Sequence, residues 1–419
     1  MLSRASVVAG NGELRRNFWG SKRDDSLYHR LLNFPSMKDA LAVRGWTIAK
    51  GYHKRDGDKV ADTKALAKFP YMPTNALNTR SPLANLTKLK PFPVADGAAS
   101  VGNLSLYRGP RILFTDGTTV QMEVRAAYAD RPFCFSSGVG ALGFGNDNPA
   151  VAKFIACYLR SSLVKYWLML TSYTAQTERA RVTLSEIKSL PLPPWLLSKN
   201  AVPSELDVFP DLLEEMAQAV NDGDSDVETA VRERIDQLVF DVFKLSHNER
   251  MIVMDMADLN AESLQPTSYS ELFTPLQSQP RKSDVSAYLE TLLTSLRLWV
   301  ATAEGSGTID GGILTRGGDR TPLDVVHIQL KAPNSSPDKV MQVTSAKAIL
   351  SAISKRISAG SQVDFFAMPN SIFVWGNDIY IVKPRRMRFW TGAAALRDAD
   401  ELYSRLSSGW SISRGARLN

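Results

Sequence analysis

The sequence predicts a mixed α/β protein of the α+β kind, and three observations predict it. Between residues 46 and 147 apolar and polar residues tend to alternate with the period of two that suits strands. From residue 148 the apolar spacing lengthens to three and four, the helical period. After a polar, proline-bearing stretch near residue 270, helix and strand patterns return as a separate set. A chain of 419 residues exceeds one ordinary core. The expected organisation is a loosely ordered N-terminus over 1–16, an α/β domain over 17–200, a helical segment over 203–260, a linker over 261–283 and a small α/β domain over 284–415.

The elements follow in order. "DDSLYHRLLNF" reads as a short helix capped by Asp24 or Asp25 and stopped by Pro35. "GWTIAKGYHKR" alternates and reads as a strand. "RGPRILFTDG" is a strand that closes on an Asp-Gly turn, and "TVQMEVRAAYAD" and "PFCFSSGVGALGF" supply further strands. A single helix is expected over "NPAVAKFIACYLRSSLVKYWLMLTS". Asn148 or Asp147 caps it, Pro149 suits its first turn, and Ala152, Ile155, Leu159, Leu163 and Trp167 make one buried face. "TLSEIKSL" carries the capping-box spacing of Thr183 and Glu186 before "PLPPW" forbids helix. "SELDVFPDLLEEMAQAVND" is helical. A longer amphipathic helix runs from Ser225 to about Asp258, with Val231, Ile235, Leu238, Val239 and Val242 on one side. The last domain holds the helix "DVSAYLETLLTSLRLWVATAEG", the strands "GGILTR" and "PLDVVHIQLKA", a helix at "VTSAKAILSAISKRIS", two strands meeting at a Gly-Asn-Asp turn, and the helix "GAAALRDADELYSRL".

Apolar content of 44% and charged content of 22% place the chain among ordinary globular proteins rather than disordered ones. No apolar run reaches 18 residues, and the N-terminus has no secretory h-region, so no membrane contact and a cytoplasmic location are expected. Two cysteines, Cys134 and Cys157, are too few for a disulfide framework or a cysteine zinc site. The net charge of +7 is uneven. Residues 1–200 carry 28 basic against 14 acidic residues, and residues 201–419 carry 22 against 29. A basic half joined to an acidic half points to a polyanionic partner, the plain alternative being a solvated surface.

Enzymatic motifs are sparse. There is no phosphate-binding G-x-x-x-x-G-K-[ST] and no Asn/Asp-Pro-Pro-aromatic tetrapeptide. "GVGALGFG" reads as a tight β turn rather than a cofactor loop, because no Rossmann-type helix follows directly. The histidines His29, His53, His247 and His327 lack metal or triad spacing. Asp324, Gln329 and Lys331 imitate a magnesium nuclease site, although a half-buried strand with an edge lysine gives the same letters. The chain is therefore read as having no cofactor or metal of its own.

Basic and aromatic residues in expected loops carry more. Lys22 and Arg23 stand just before a helix N-terminus, whose amides can add to a phosphate contact. Lys54 and Arg55 end a strand, and Arg108 and Arg111 flank a Gly-Pro turn. "SYTAQTERAR" offers Tyr173, Gln176, Thr177, Arg179 and Arg181 between two helices. Arg pairs bidentately with guanine, Gln with adenine, and Thr touches phosphate or a thymine methyl. For each, a surface charge or local ion pair is the alternative.

Several segments, in order, resemble the C-terminal, non-catalytic half of large adenine-N6 DNA methyltransferases of restriction-modification and phage-defence systems. They are "FWGSKRDDSLYHRLLNFPSM", "GWTIAKGYHKR" with "FPYMPTNAL", "YRGPRILFTDG", "FIACYLRSSLVKYWLMLTSYTAQTERARVTLSEIKSLPLPPW", "IDQLVFDVFKLSHNER" and "DIYIVKPRRMRFWTGAAALRDADEL". The likeness spans roughly residues 17–415. In that family the S-adenosylmethionine loop and the catalytic tetrapeptide lie upstream of these segments. The resemblance implies a stand-alone specificity part, or a truncated product, with 17–200 as the target-recognition domain. It also implies double-stranded DNA as ligand, a separate methyltransferase or defence subunit as partner, and S-adenosylmethionine as that partner's cofactor. By the same resemblance the loop from Thr171 to Arg181 approaches base edges. The alternatives are a protein-interaction scaffold of a defence complex and a magnesium-dependent nuclease.

Overall fold

The computed structural model describes residues 16, 19–55, 57, 61–77, 80–118, 123–172, 182–198, 202–264, 274–302, 308–314, 322–331, 350–351, 355, 371–375 and 377–407. The chain divides into two compact units, Met1–Thr267 and Ser268–Asn419. Both mix helices with small sheets, the α+β class expected from the pattern changes.

The first unit begins with α1 (Lys22–Leu32) and α2 (Met37–Arg44). The cap of α1 is Ser21, not Asp24 or Asp25. Asp24 instead takes the third helical position, where its carboxylate accepts from the Ser21 amide at 2.6 Å, which completes a capping box. The strands are β1 (Thr47–Lys50), β2 (His53–Lys54), β3 (Tyr71–Met72), β4 (Ala98–Ser100), β5 (Arg111–Thr118), β6 (Val124–Ala129), β7 (Cys134–Phe135) and β8 (Val139–Gly143). A four-stranded sheet has the order β1-β8-β5-β6, with Leu113 opposite Ala141 and Ala127. Strand β5 runs through Asp116–Gly117, with an irregular register between Phe114 and Thr118, so the expected Asp-Gly turn is not there. The glycines of β8 make room rather than turn. A Cβ on Gly140 would stand 2.5 Å from the Phe114 ring, so any other residue there would force that buried ring to move. Two short ladders, β2/β4 antiparallel and β3/β7 parallel, flank an aromatic core that includes Tyr52, Phe92, Tyr107, Phe133 and Phe135.

The expected single helix after Asn148 is two helices, α3 (Pro149–Leu159) and α4 (Ser162–Thr171). Ser161, the residue before α4, makes no side-chain cap of its own. Asp236 of a later helix supplies one, accepting from the Ser162 amide at 2.7 Å and the Ser162 hydroxyl at 2.6 Å. Residues 163–170 are all buried, so α4 is wrapped on every side rather than on one face. Next come α5 (Leu184–Lys188), with the expected Thr183/Glu186 capping box, then α6 (Phe209–Asp222), α7 (Ser225–Val242), α8 (His247–Asp255), a π turn over Met256–Asn260, and α9 (Ala261–Leu264). The long helix expected from Ser225 breaks at Lys244, whose φ of 52° ends α7, and Ser246 with Glu249 caps a new start. These helices pack on the sheet-bearing part through Phe154–Phe209 and Tyr158–Phe243 rings 5.1 and 5.3 Å apart. Ion pairs Arg30–Glu249, Arg80–Glu228, Lys153–Glu214 and Arg232–Glu123 join the two. Both cysteines are buried, and burial pushes their thiols up to about 12.

In the second unit α10 (Lys282–Thr302) precedes β9 (Thr308–Leu314), β10 (Leu323–Lys331), β11 (Ser371–Trp375), β12 (Asp378–Pro384) and α11 (Gly392–Ser407). The antiparallel sheet has the order β11-β12-β10-β9. Val326, Ile328, Ile379 and Ile381 form one core with Leu292, Leu296, Ala395 and Leu402 of α10 and α11. Beneath it Lys383 is paired with Asp398, and Tyr288 reaches both, all three fully enclosed. Most of the helix expected over 343–358 lies outside the described residues.

Candidate nucleic-acid interface

An open cleft of about 720 Å³ forms where β2 and β4 meet the turn between β7 and β8. Gly51 sets it up. A Cβ there would lie 2.0 Å from the Phe135 carbonyl, so only glycine lets the chain leave β1 and pass that close. Tyr52 then donates to the Phe135 carbonyl at 3.0 Å, and the Ser137 amide donates to the Tyr52 carbonyl at 2.7 Å. These bonds hold Ser136, Ser137 and Gly138 beside His53, Lys54 and Arg55, with Ala99 and Ser100 on the same wall. His53 faces Ser100 across the β2/β4 ladder. The Ser136 hydroxyl is fixed by a 2.8 Å hydrogen bond with the Thr74 hydroxyl. His53, Lys54 and Arg55 are exposed, and Arg55 also donates to the Gly57 carbonyl at 3.2 Å. Among the described residues, cations, hydroxyls and a bare glycine line this cleft, and no carboxylate does. Such a surface suits the oxygen-rich, negatively charged ester backbone of a polyanion.

The structure brings only part of the expected set together. Lys54 and Arg55 share the cleft, joined by His53, Ser100, Ser136 and Ser137, which the sequence reading passed over. The signals were present in "YHKR" and "FSSGVG", but only folding shows that these segments meet. Lys22 is exposed and Arg23 half-buried and already engaged. Both lie inside the first turn of α1, not before it, and Asp24 and Asp25 crowd the same turn with negative charge. Arg108 is exposed beside Gly109. Arg111 departs from the expectation of a DNA contact. It is fully buried, donates to the Gly109, Arg131 and Phe133 carbonyls, and lies 4.0 Å over the Phe133 ring. Burial pulls its guanidinium down to about 10. It braces the loops around the aromatic core. Tyr173, Gln176, Thr177, Arg179 and Arg181 lie outside the described residues.

The nuclease-like letters do not converge. Side chains alternate along β10, so Asp324 shares a face with Val326 and Ile328, while Gln329 and Lys331 project from the other. Asp324 pairs with Arg385 at 2.7 Å, Lys331 with Asp310 at 2.9 Å, and Gln329 donates to Asp378 at 3.4 Å. Among the described residues no group of three or more His, Cys, Asp or Glu side chains could hold a metal ion. No helix among them is long and apolar enough to cross a membrane.

No family model matches the chain, and no curated protein does. Solved structures give weak likenesses. One is the Type IIL restriction-modification enzyme MmeI in complex with DNA, at 8% identity and a TM-score of 0.30, covering 52% of this chain and 35% of that one. Another is the HsdS subunit from Thermoanaerobacter tengcongensis, at 15% identity and a TM-score of 0.24, covering 55% of this chain and 53% of that one. The matched regions thus span about a third and about half of these chains, and such scores do not establish a shared fold.

Proposed function

We propose that the chain is a sequence-specific DNA-binding specificity subunit. It acts on double-stranded DNA together with a separate adenine-N6 DNA methyltransferase of a restriction-modification or anti-phage defence system. The observation that carries the reading is the cleft lined by His53, Lys54, Arg55 and three serines, with no carboxylate among its described lining, in a stretch of 200 residues with a net charge of +14. In this reading Lys54 and Arg55 contact phosphates, and Lys22, Arg23 and Arg108 extend that contact along the duplex. Tyr173, Gln176, Thr177, Arg179 and Arg181 read base edges in the major groove. Methyl transfer belongs to the partner, which supplies S-adenosylmethionine and the catalytic residues.

The test is a selection of randomised duplex DNA by the purified chain at near-physiological salt, followed by sequencing of what is retained. Enrichment of an asymmetric motif of a few base pairs is the expected result. Retention without enrichment would reduce the protein to a general DNA clamp. No retention would leave the scaffold reading in its place.

A further inference from the structure

The two faces of the sheet in the second unit differ. Val326, Ile328, Ile379 and Ile381 pack under α10 and α11. The opposite face changes along its length. One end is apolar, with Leu314, Val325, Tyr380 and Val382. The other end is polar. The ladders set Asp310 of β9 opposite Gln329 of β10, and Gln329 opposite Asp378 of β12. Side chains alternate along a strand, so His327 and Lys331 share this face with them. Asp310 therefore takes the place beside Gln329 and Lys331 that Asp324, on the covered face, cannot.

Lys331 Nζ lies 2.9 Å from Asp310 Oδ2, with the two side chains only 9% and 20% exposed. An enclosed ion pair adds little to stability over apolar packing, so folding alone gives little reason to keep it. Asp310 Oδ2 accepts no hydrogen bond among the described residues. Gln329 Nε2 donates to Asp378 Oδ1, which His327 Nε2 also meets at 2.8 Å. The amide is thus held by its nitrogen, and its oxygen Oε1 has no partner among the described residues. Directly opposite residues of an antiparallel pair have Cβ atoms about 4.5–5.5 Å apart, so one cation can meet both side-chain oxygens. Gly312, next along β9 on the same face, leaves room beside Asp310, since a Cβ there would meet nothing within 4 Å. Arg297 of α10 is exposed and reaches within 3.7 Å of Asp310 Oδ1.

We propose that this end of the sheet holds a magnesium ion between Asp310 and Gln329 and hydrolyses phosphodiesters. Oxygen ligands suit a hard cation, and magnesium is commonly held by one or two protein groups while water and substrate phosphate complete its shell. A site with so few protein ligands fits a phosphate ester as substrate. A water oxygen forms the new bond to phosphorus, and the bond from phosphorus to the leaving sugar oxygen breaks. The proton that the water loses passes through solvent to that leaving oxygen, so a phosphomonoester and an alcohol result. Lys331 and Arg297 stabilise the negative charge that gathers on the phosphoryl oxygens. DNA as the diester rests on the reading of the first unit, whereas the metal site does not.

The test uses the full chain with manganese(II) as a calorimetric probe, and with supercoiled plasmid and bis-p-nitrophenyl phosphate as magnesium-dependent substrates. One manganese ion should bind at millimolar concentrations or below, and both diesters should be cleaved until a chelator is added. Asp310→Asn should weaken the metal by about tenfold or more and abolish cleavage. Lys331→Met should keep the metal and slow cleavage by about a hundredfold or more, a split that a structural role would not produce. Gln329→Met, at a half-buried position, should weaken the metal and decides the matter if Asp310→Asn does not fold. Hydrolysis of the small diester with the plasmid left intact would uphold the site and overturn DNA as its substrate. No manganese binding, metal bound without cleavage of either diester, or indifference to Asp310→Asn and Gln329→Met would overturn the assignment.

Discussion

Arg108 and Arg111 stand three residues apart and do opposite work. Arg108 follows a turn of 3-10 helix and projects into solvent. Arg111 opens β5 at a position opposite Gly143 and Ala129, where its side chain enters the core and meets three carbonyls. Removing a buried arginine that satisfies several acceptors leaves those acceptors unpaired, so Arg111→Ala should cost on the order of 3 kcal/mol. Urea unfolding checks this, and an unchanged midpoint would mean that the carbonyls find water instead. Arg108→Ala should leave the midpoint in place. The sequence cannot separate the two, because a Gly-Pro turn exposes one flank and the first ladder pair buries the other. Such a choice is made by the partner strand. Lys54 and Arg55 were legible as exposed cations because they end a strand beside an Asp-Gly pair. Their companions Ser136 and Ser137 were not, since 80 residues of chain separate them.

At the level of elements, local rules held where the signal was local. The Thr183/Glu186 box, Asn148 with Pro149, and the strand pair after Ser371 follow from neighbours in sequence. The break between α3 and α4 does not, because its cap comes from Asp236, on α7. Burial raises the Asp236 pKa to about 6, although the Ser162 hydrogen bonds pull the other way. The folded protein then holds this proton more tightly than the unfolded chain, whose carboxylate titrates near 3.9. Its contribution to stability is fully present below the unfolded value and is lost as pH rises toward 6. Asp236→Asn should flatten the fall in stability between about pH 4 and pH 6, since a neutral amide still accepts from the Ser162 N–H. Thermal melts across that range check it, and an unaltered slope would assign the titration to another group. In the second unit the Lys383–Asp398 pair ties β12 to α11, and Tyr288 adds α10. Asp398→Ala strands an ammonium in the core and should cost about 3–5 kcal/mol, whereas a matched apolar replacement of both partners should recover much of it. Chemical denaturation followed by tryptophan fluorescence reads this out, because Trp390 packs on Tyr288 at 5.1 Å between centroids.

Over the whole molecule, the acidic charge belongs to one stretch. Residues 201–267 carry 4 basic against 16 acidic residues, while residues 268–419 carry 18 against 13. The acidic helices are part of the first unit, and several of their carboxylates face arginines and lysines of the sheet-bearing part, such as Arg30, Arg80 and Lys153. Part of the positive charge of 1–200 is thereby spent inside the unit, whereas no carboxylate stands beside His53, Lys54 and Arg55 among the described residues of the cleft. If the cleft is where the duplex lies, Lys54 and Arg55 each displace a counterion. The logarithm of the binding constant should then fall with the logarithm of salt by about 0.9 per phosphate contacted. Lys54→Ala combined with Arg55→Ala should reduce that slope by about 2 and weaken all duplexes alike, because phosphate contacts carry no sequence. Fluorescence anisotropy with a labelled duplex at several salt concentrations measures it directly. A slope equal to that of the unaltered protein would take the duplex away from this cleft and leave the first unit's remaining exposed cations, Lys22 and Arg108 among them, to carry the contact.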